Sequence, residues 1–180
     1  MFEKIDSLMN RVDTEKPASL EAIFALAGYW AVRGNPERAM SLYEEGLTRD
    51  DLNDEWDFVF RNYLVHLYSE VLGQHQKALE VVEQALATNR DNVTLLNTKG
   101  LILINAGDPS AAIPVLQRAV ELTNQQPFYR MNLAYALHLD GQTTQSRRYF
   151  DAARDQLIPF IPDMNKMDKA MYAALLLAHP

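Results

Sequence analysis

The sequence predicts an all-α chain built as a short stack of helical hairpins, and three observations predict it. One kind of stretch occurs four times: "GNPERAMSLYEEGL" from Gly34, "GQHQKALEVVEQAL" from Gly73, "GDPSAAIPVLQRAV" from Gly107 and "GQTTQSRRYFDAAR" from Gly141. The glycines lie 39, 34 and 34 residues apart, and two successive steps of 34 mean one supersecondary unit copied in tandem. Apolar residues on both sides of the glycine keep helical spacing, as at Leu96, Gly100 and Leu103 and then at Ala112, Val115, Leu116 and Ala119.

Each element follows in order. Residues 1–16 form a helix with Phe2, Ile5, Leu8, Met9 and Val12 on one face. Four units follow, near 20–53, 57–92, 93–126 and 127–160. In the third, Gly107 ends the first helix in a left-handed conformation that costs other residues about 1–2 kcal/mol. Asp108 then caps the second helix and Pro109 occupies its first turn, where a missing N–H is harmless. "GNP" at Gly34 repeats the device. Small residues at Ala39, Ala78, Ala112 and Ser146 let paired helices approach to roughly 8–10 Å. Pro114 falls inside a helix and is expected to bend it.

The second unit is five residues too long, and the excess is expected around "DDLNDEWDF". Counting back from Gly73 would bury Asn62, His66 and Ser69; a frame two residues earlier buries Phe60, Tyr63, Leu64 and Leu67 and is preferred, with a long turn before His75. After the fourth unit "IPFIPD" breaks the chain, and Asp163 is expected to cap a last helix over 163–180. Terminal helices of this kind cover the open ends of a stacked array.

Composition narrows the partners. The 180 residues are 48% hydrophobic and 23% charged, as in ordinary folded proteins. No run of about 18 apolar residues exists, so membrane insertion is not expected, and residues 1–16 lack the apolar core of a signal peptide. Without Cys there are no disulfides; a cytoplasmic location is the default expectation. A net charge of -7 argues against nucleic acid, since phosphate binding needs Lys and Arg. The acidic stretch "YEEGLTRDDLNDEWD" reads as a solvated loop or as a dock for a basic partner.

The repeated residues resemble the tetratricopeptide repeat, or TPR, over residues 20–160. The first unit supplies Ile23, Leu26, Ala27, Trp30, Gly34, Ala39 and Tyr43. The third supplies Leu96, Gly100, Leu103, Gly107, Ala112 and Leu116; the fourth, Leu133, Ala134, Leu137, Gly141, Ser146, Phe150 and Ala153. Lys99 stands where the pattern wants Leu, Arg130 where it wants a large aromatic, and the closing Pro is absent from every unit. The resemblance implies a right-handed superhelix, an α-solenoid of about four helix-turn-helix repeats with flanking N- and C-terminal helices. It also implies a concave groove that binds protein segments and seldom carries catalysis.

In such an array the first helix of each unit lines the groove. The residues so placed are Phe24 and Gly28, then Phe58, Arg61, Asn62 and Val65, then Asn97, Thr98, Leu101 and Asn105, then Phe128, Met131, Asn132, Tyr135 and His138. Asn62, Asn97 and Asn132 recur along one line, and amides carry both donors and an acceptor with which to grip an extended backbone. Phe24, Phe58, Phe128 and Tyr135 offer apolar pockets. The alternative is that the amides face water and the rings belong to the core. The clamp by which some TPR modules hold acidic chaperone tails is excluded, since Phe24, Gly28, Thr94 and Thr98 stand at its positions and only Asn62 fits.

Catalytic and metal patterns are lacking. His66 and Glu70 share a helix face four apart, but no second pair joins them, and the pair reads as a surface contact. "DDLNDE" lacks the Gly and closing Glu of a calcium loop, and neither a phosphate-cradling loop nor a nucleophile elbow occurs. No enzyme, cofactor or metal is expected. The expected function is a scaffold that binds another protein or a peptide. The alternatives are a bacterial secretion-type chaperone holding an exported client, a piece of a longer TPR protein, or a subunit that self-associates through its apolar last helix.

Overall fold

The structure, a computed structural model, describes residues 2–15 and 17–179, and the side chains of 7–14 and 17–179. Among these residues it is all-α: ten α-helices, one π-helical turn, one 3-10 helix and no strand. The chain folds as two compact units, Met1–Val81 and Val82–Pro180.

The first unit holds α1 (Phe2–Glu15), α2 (Leu20–Val32), α3 (Pro36–Leu47), α4 (Asp54–His66), a π-helical turn (Leu67–Val71) and the start of α5 (His75–Thr88). Side-chain caps set the starts. Ser19 accepts from the Ala22 N–H at 3.3 Å, Asn35 from Arg38 at 3.1 Å and Asn53 from Trp56 at 3.0 Å. Ile23, Leu26 and Ala27 of α2 are buried with Ala39, Leu42 and Tyr43 of α3. Gly46 lets α4 close on α3, since a Cβ there would stand 2.3 Å from the Phe60 ring. The Arg38 guanidinium grips both carboxylate oxygens of Asp13 through Nε at 3.0 Å, tying α1 to α3. On α1, Met9 and Val12 are half-buried and Leu8 is exposed; the side chains of Phe2 and Ile5 lie outside the described residues.

The extra length of the second hairpin lies in its first helix, which corrects the expected placement around residues 50–58. Twenty positions separate Gly34, Gly73 and Gly107 from the first residues of α4 and of the helices starting at Val93 and Pro127, so the connections are equivalent. Fourteen positions separate Leu20, Val93 and Pro127 from their glycines, against nineteen from Asp54 to Gly73. A π turn takes up the mismatch: the Leu72 N–H bonds Leu67 O at 2.9 Å, a five-residue step. It also turns Leu67, Tyr68 and Ser69 inward in succession. Phe60, Leu64 and Leu67 are buried in the expected frame. Tyr63 instead stays 41% exposed, and Ser69 is buried where the frame left it out.

The second unit holds the rest of α5, then α6 (Val93–Asn105), α7 (Pro109–Leu122), α8 (Pro127–Leu139), α9 (Thr143–Leu157), a 3-10 helix (Ile158–Asp163) and α10 (Lys166–Ala178). Gly107 has φ 81°, and the Asp108 N–H reaches back to Leu103 O at 2.9 Å, closing α6. Asp108 then accepts from the Ala111 N–H at 3.0 Å to open α7. α7 runs uninterrupted through the exposed Pro114. One core joins Ala112, Ile113, Leu116 and Val120 of α7 to Leu133, Ala136 and Leu137 of α8. A second joins Met131 and Ala134 of α8 and Phe150, Ala153 and Leu157 of α9 to Met164 and to Met171, Tyr172 and Leu175 of α10. The cap of α10 is Asn165, which accepts from the Asp168 N–H at 2.9 Å; Asp163 ends the 3-10 helix instead, because "IPFIPD" winds into that helix before the break.

Candidate functional site

The first helices of the hairpins carry the residues expected to meet a ligand, and each unit presents its own face. In the first unit Phe24, one turn into α2, is half-buried in a cluster of rings. Its centroid lies 5.1 Å from Tyr63, 5.7 Å from Trp56 and 6.2 Å from Tyr43. Beneath, Tyr43 lies 5.8 Å and Trp56 5.3 Å from the buried Phe60. Burial first, and then the neighbouring Tyr63, push the Tyr43 hydroxyl up to about 12. Gly28, one turn on from Phe24, has open space where a Cβ would stand.

On α4, Phe58 and Asn62 are exposed, whereas Val65 is buried. Arg61 is engaged with Asp57, Nε to Oδ2 at 2.8 Å. At the open end of the rings, Glu21 sits in the first turn of α2. Its own backbone N–H, and then hydrogen bonds from Ser19 and Trp56, hold its carboxyl below the usual range. Trp56 and Tyr63 had no place among the expected ligand-facing residues. The spacing placed Tyr63 in the core and did not mark Trp56, because a period of apolar residues does not show the π turn that follows α4.

In the second unit, Asn132 of α8 donates through Nδ2 to Oδ1 of Asn97 on α6 at 2.8 Å. Asn97 is half-buried; Asn132 is buried, and its Oδ1 has no hydrogen-bond partner. Thr98 is half-buried beside Lys99, whose ammonium holds Glu83 of α5 at 2.7 Å, and Asn105 is exposed. Thus Asn97 and Asn132 meet, while Asn62 lies in the other unit, exposed on α4.

The remaining α8 residues meet the chain's own C-terminal segment. Phe128 stacks edge-on against Phe160 of the 3-10 helix at 5.6 Å, and Met131 is fully buried among the α8–α10 side chains. Tyr135 and Leu101 pack against the same core. The His138 ring lies 6.1 Å from His179, which follows α10. Met131 and Val65 are therefore core residues, a correction of their groove placement: close-packed helices bury that stripe of the first helix.

His179 is buried, with Nε2 2.8 Å from Ser146 Oγ. The Ser146 hydroxyl also reaches Ala134 O at 2.8 Å, and the Nδ1 of His179 has no partner. Burial, then Arg147 and His138, lower the affinity of His179 for a proton, against a smaller opposing pull from Asp151. Leu176 and Leu177 of α10 are exposed.

Among the described residues no three His, Cys, Asp or Glu side chains converge as metal ligands. His66 and Glu70 form an exposed i,i+4 contact at 3.1 Å. No helix among these residues is long and apolar enough to cross a membrane.

Comparison with known proteins agrees with this geometry. The family profile described as "Tetratricopeptide repeat" matches residues 72–134, from the end of the π turn into α8. A TPR repeat-containing protein of Methanocaldococcus jannaschii is 24% identical over 113 residues, 63% of this chain and 19% of that protein. The type IV pilus assembly protein PilF of Pseudomonas aeruginosa is 26% identical over 137 residues, 75% of this chain and 52% of that protein. The chain thus spans about a fifth and about half of the lengths of these two relatives. Among solved structures, YrrB, described as a TPR protein with an unusual peptide-binding site, superposes with a TM-score of 0.57 at 23% identity. The superposition covers 82% of this chain and 74% of YrrB, a likeness of fold.

Proposed function

Because this chain is a tetratricopeptide repeat protein, we propose that it is a non-catalytic scaffold holding a segment of another protein against the first helices of its hairpins. TPR folds generally mediate protein–protein interaction, and the finer assignment concerns where the segment lies. The observation that carries it is the hydrogen bond between Asn97 and Asn132. The buried Asn132 amide holds that of Asn97, from the preceding first helix, and the half-buried Asn97 is the one at the surface. Amides of this kind read a peptide backbone whatever its side chains. YrrB has a peptide-binding site on the same fold, which supports the reading.

The test is affinity capture from cell extract with the tagged full chain. Asn97→Ala with Asn132→Ala is expected to lose the captured partner while keeping its helical circular dichroism. Undiminished capture by a folded double variant removes the amide face from the proposal.

A second reading is favoured by the likeness to PilF, a pilus assembly protein. Here the partner is a subunit held until it is assembled. It predicts co-purification with one client that is degraded in cells lacking this chain; stable partners alone would count against it.

A further inference from the structure

The charge of the chain is divided unevenly. Residues 1–81 hold 15 of the 24 Asp and Glu but only 8 of the 17 Lys and Arg, so the whole net charge of -7 falls on the first unit and the second is formally neutral. The excess gathers where α2 and α4 begin. Glu21 lies in the first turn of α2, Asp54, Glu55 and Asp57 lie in the first turn of α4, and Asp50 and Asp51 precede it. Two guanidiniums answer these six carboxylates: Arg49 holds Asp51 at 2.7 Å and Arg61 holds Asp57. The helix N-termini together supply about one further positive charge. Capping and dipole needs therefore leave a surplus of negative charge.

That surplus borders an aromatic surface in which Tyr63 is exposed and Phe24 and Trp56 are half-buried. Trp56 shares the first turn of α4 with Asp54 and Glu55. Its ring leans on Phe24, and Phe24 on Tyr63, which is 41% exposed. Aromatic faces attract cations, Arg most often, and nearby carboxylates add to the pull. A neutral apolar segment gains nothing from those carboxylates, and a nucleic acid is repelled by them.

We propose that the α2–α4 face of the first unit docks a polypeptide segment bearing Arg or Lys, with Phe24, Trp56 and Tyr63 covering the cationic side chains and Glu21, Asp54 and Glu55 neutralising them. The proposal rests on the reading of the chain as a polypeptide-binding module and names the chemistry of its partner.

The test uses the full chain and fluorescein-labelled (Arg-Gly)4, with (Glu-Gly)4 as control, followed by anisotropy at two salt concentrations. The arginine peptide is expected to bind, more weakly at high salt, and the glutamate peptide not to bind. Glu21→Gln with Asp54→Asn and Glu55→Gln is expected to weaken binding about ten-fold or more, and Tyr63→Leu about three-fold. Binding indifferent to Tyr63→Leu, equal binding of both peptides, or none of the arginine peptide overturns the proposal. In the unmodified chain, the indole N–H signal of Trp56, assigned with Trp56→Phe, is expected to shift on titration. A shift at Trp30 alone, or at neither indole, overturns it in the unmodified chain. A chain that captures its cellular partner in full yield yet ignores the arginine peptide overturns this inference alone and leaves the scaffold reading standing.

Discussion

The amide of Asn132 and the amide of Asn97, one on α8 and the other on α6, meet in a single hydrogen bond of 2.8 Å. The two partners are not equivalent. Asn97 is half-buried, whereas Asn132 is buried and keeps an unpaired Oδ1. A buried acceptor without a partner costs about 1–3 kcal/mol, comparable to or larger than the net worth of the bond that holds its amide.

This asymmetry predicts opposite results for two substitutions. Asn132→Leu removes the unpaired acceptor and leaves Asn97 able to turn to water, so stability is expected to hold or rise. Asn97→Ala strands a buried amide and is expected to cost about 1–3 kcal/mol. Urea denaturation of both variants measures the difference; equal losses would mean that the bond outweighs its desolvation.

The glycines of the first helices predict a second contrast. At Gly100 a Cβ would stand 2.5 Å from the side chain of Leu116, which is fully buried and has nowhere to go. Gly100→Ala is expected to destabilise by about 1–3 kcal/mol through overpacking. At Gly28 nothing lies within 4 Å, so Gly28→Ala is expected to stabilise by up to about 1 kcal/mol through helix propensity. Thermal melts of the pair check both signs.

Acid should loosen the C-terminal helix. Burial lowers the proton affinity of His179 in the folded state, and its Nδ1 has no acceptor to receive a proton's bond. Arg147 and His138 add to that effect and Asp151 opposes it. A histidine of depressed folded affinity contributes stability that is complete above its unfolded value near 6.5 and is lost as pH falls through the folded one. The protection factors of residues 166–178, exchange rates divided by the intrinsic rate at each pH, are therefore expected to fall between pH 7 and pH 5. In His179→Gln the pH dependence should shrink; an unchanged profile would place the titrating group elsewhere.

Alkali should act on the first unit. Tyr43 ionises near pH 12 in the folded chain against about 10 when unfolded, because its hydroxyl is buried beside Tyr63. Its contribution is complete below pH 10 and is lost as pH rises toward 12. Burial, and then the carboxylate of Glu44, raise Tyr68 as well. Melting temperature is expected to fall above pH 10, and less steeply in Tyr43→Phe.

The sequence by itself determined the all-α class, the places of the turns and the caps at Asn35 and Asp108. Positive φ at Gly34, Gly73, Gly107 and Gly141, and the bond from Asp108 to Ala111, are local matters that a few neighbouring residues decide. Tertiary structure alone decided where the five surplus residues of the second hairpin went. A π turn satisfies the helical hydrogen bonds while rotating Leu67, Tyr68 and Ser69 inward, and only the packing of the surrounding helices selects it. Tertiary structure also decided which first-helix residues remain open. Phe128, Tyr135 and His138 share a helix face with Asn132, but contacts with Phe160, with the α10 core and with His179 arise from residues more than 30 positions away. Helical periodicity names the face a residue lies on; what covers that face depends on how distant segments pack, which no local pattern encodes.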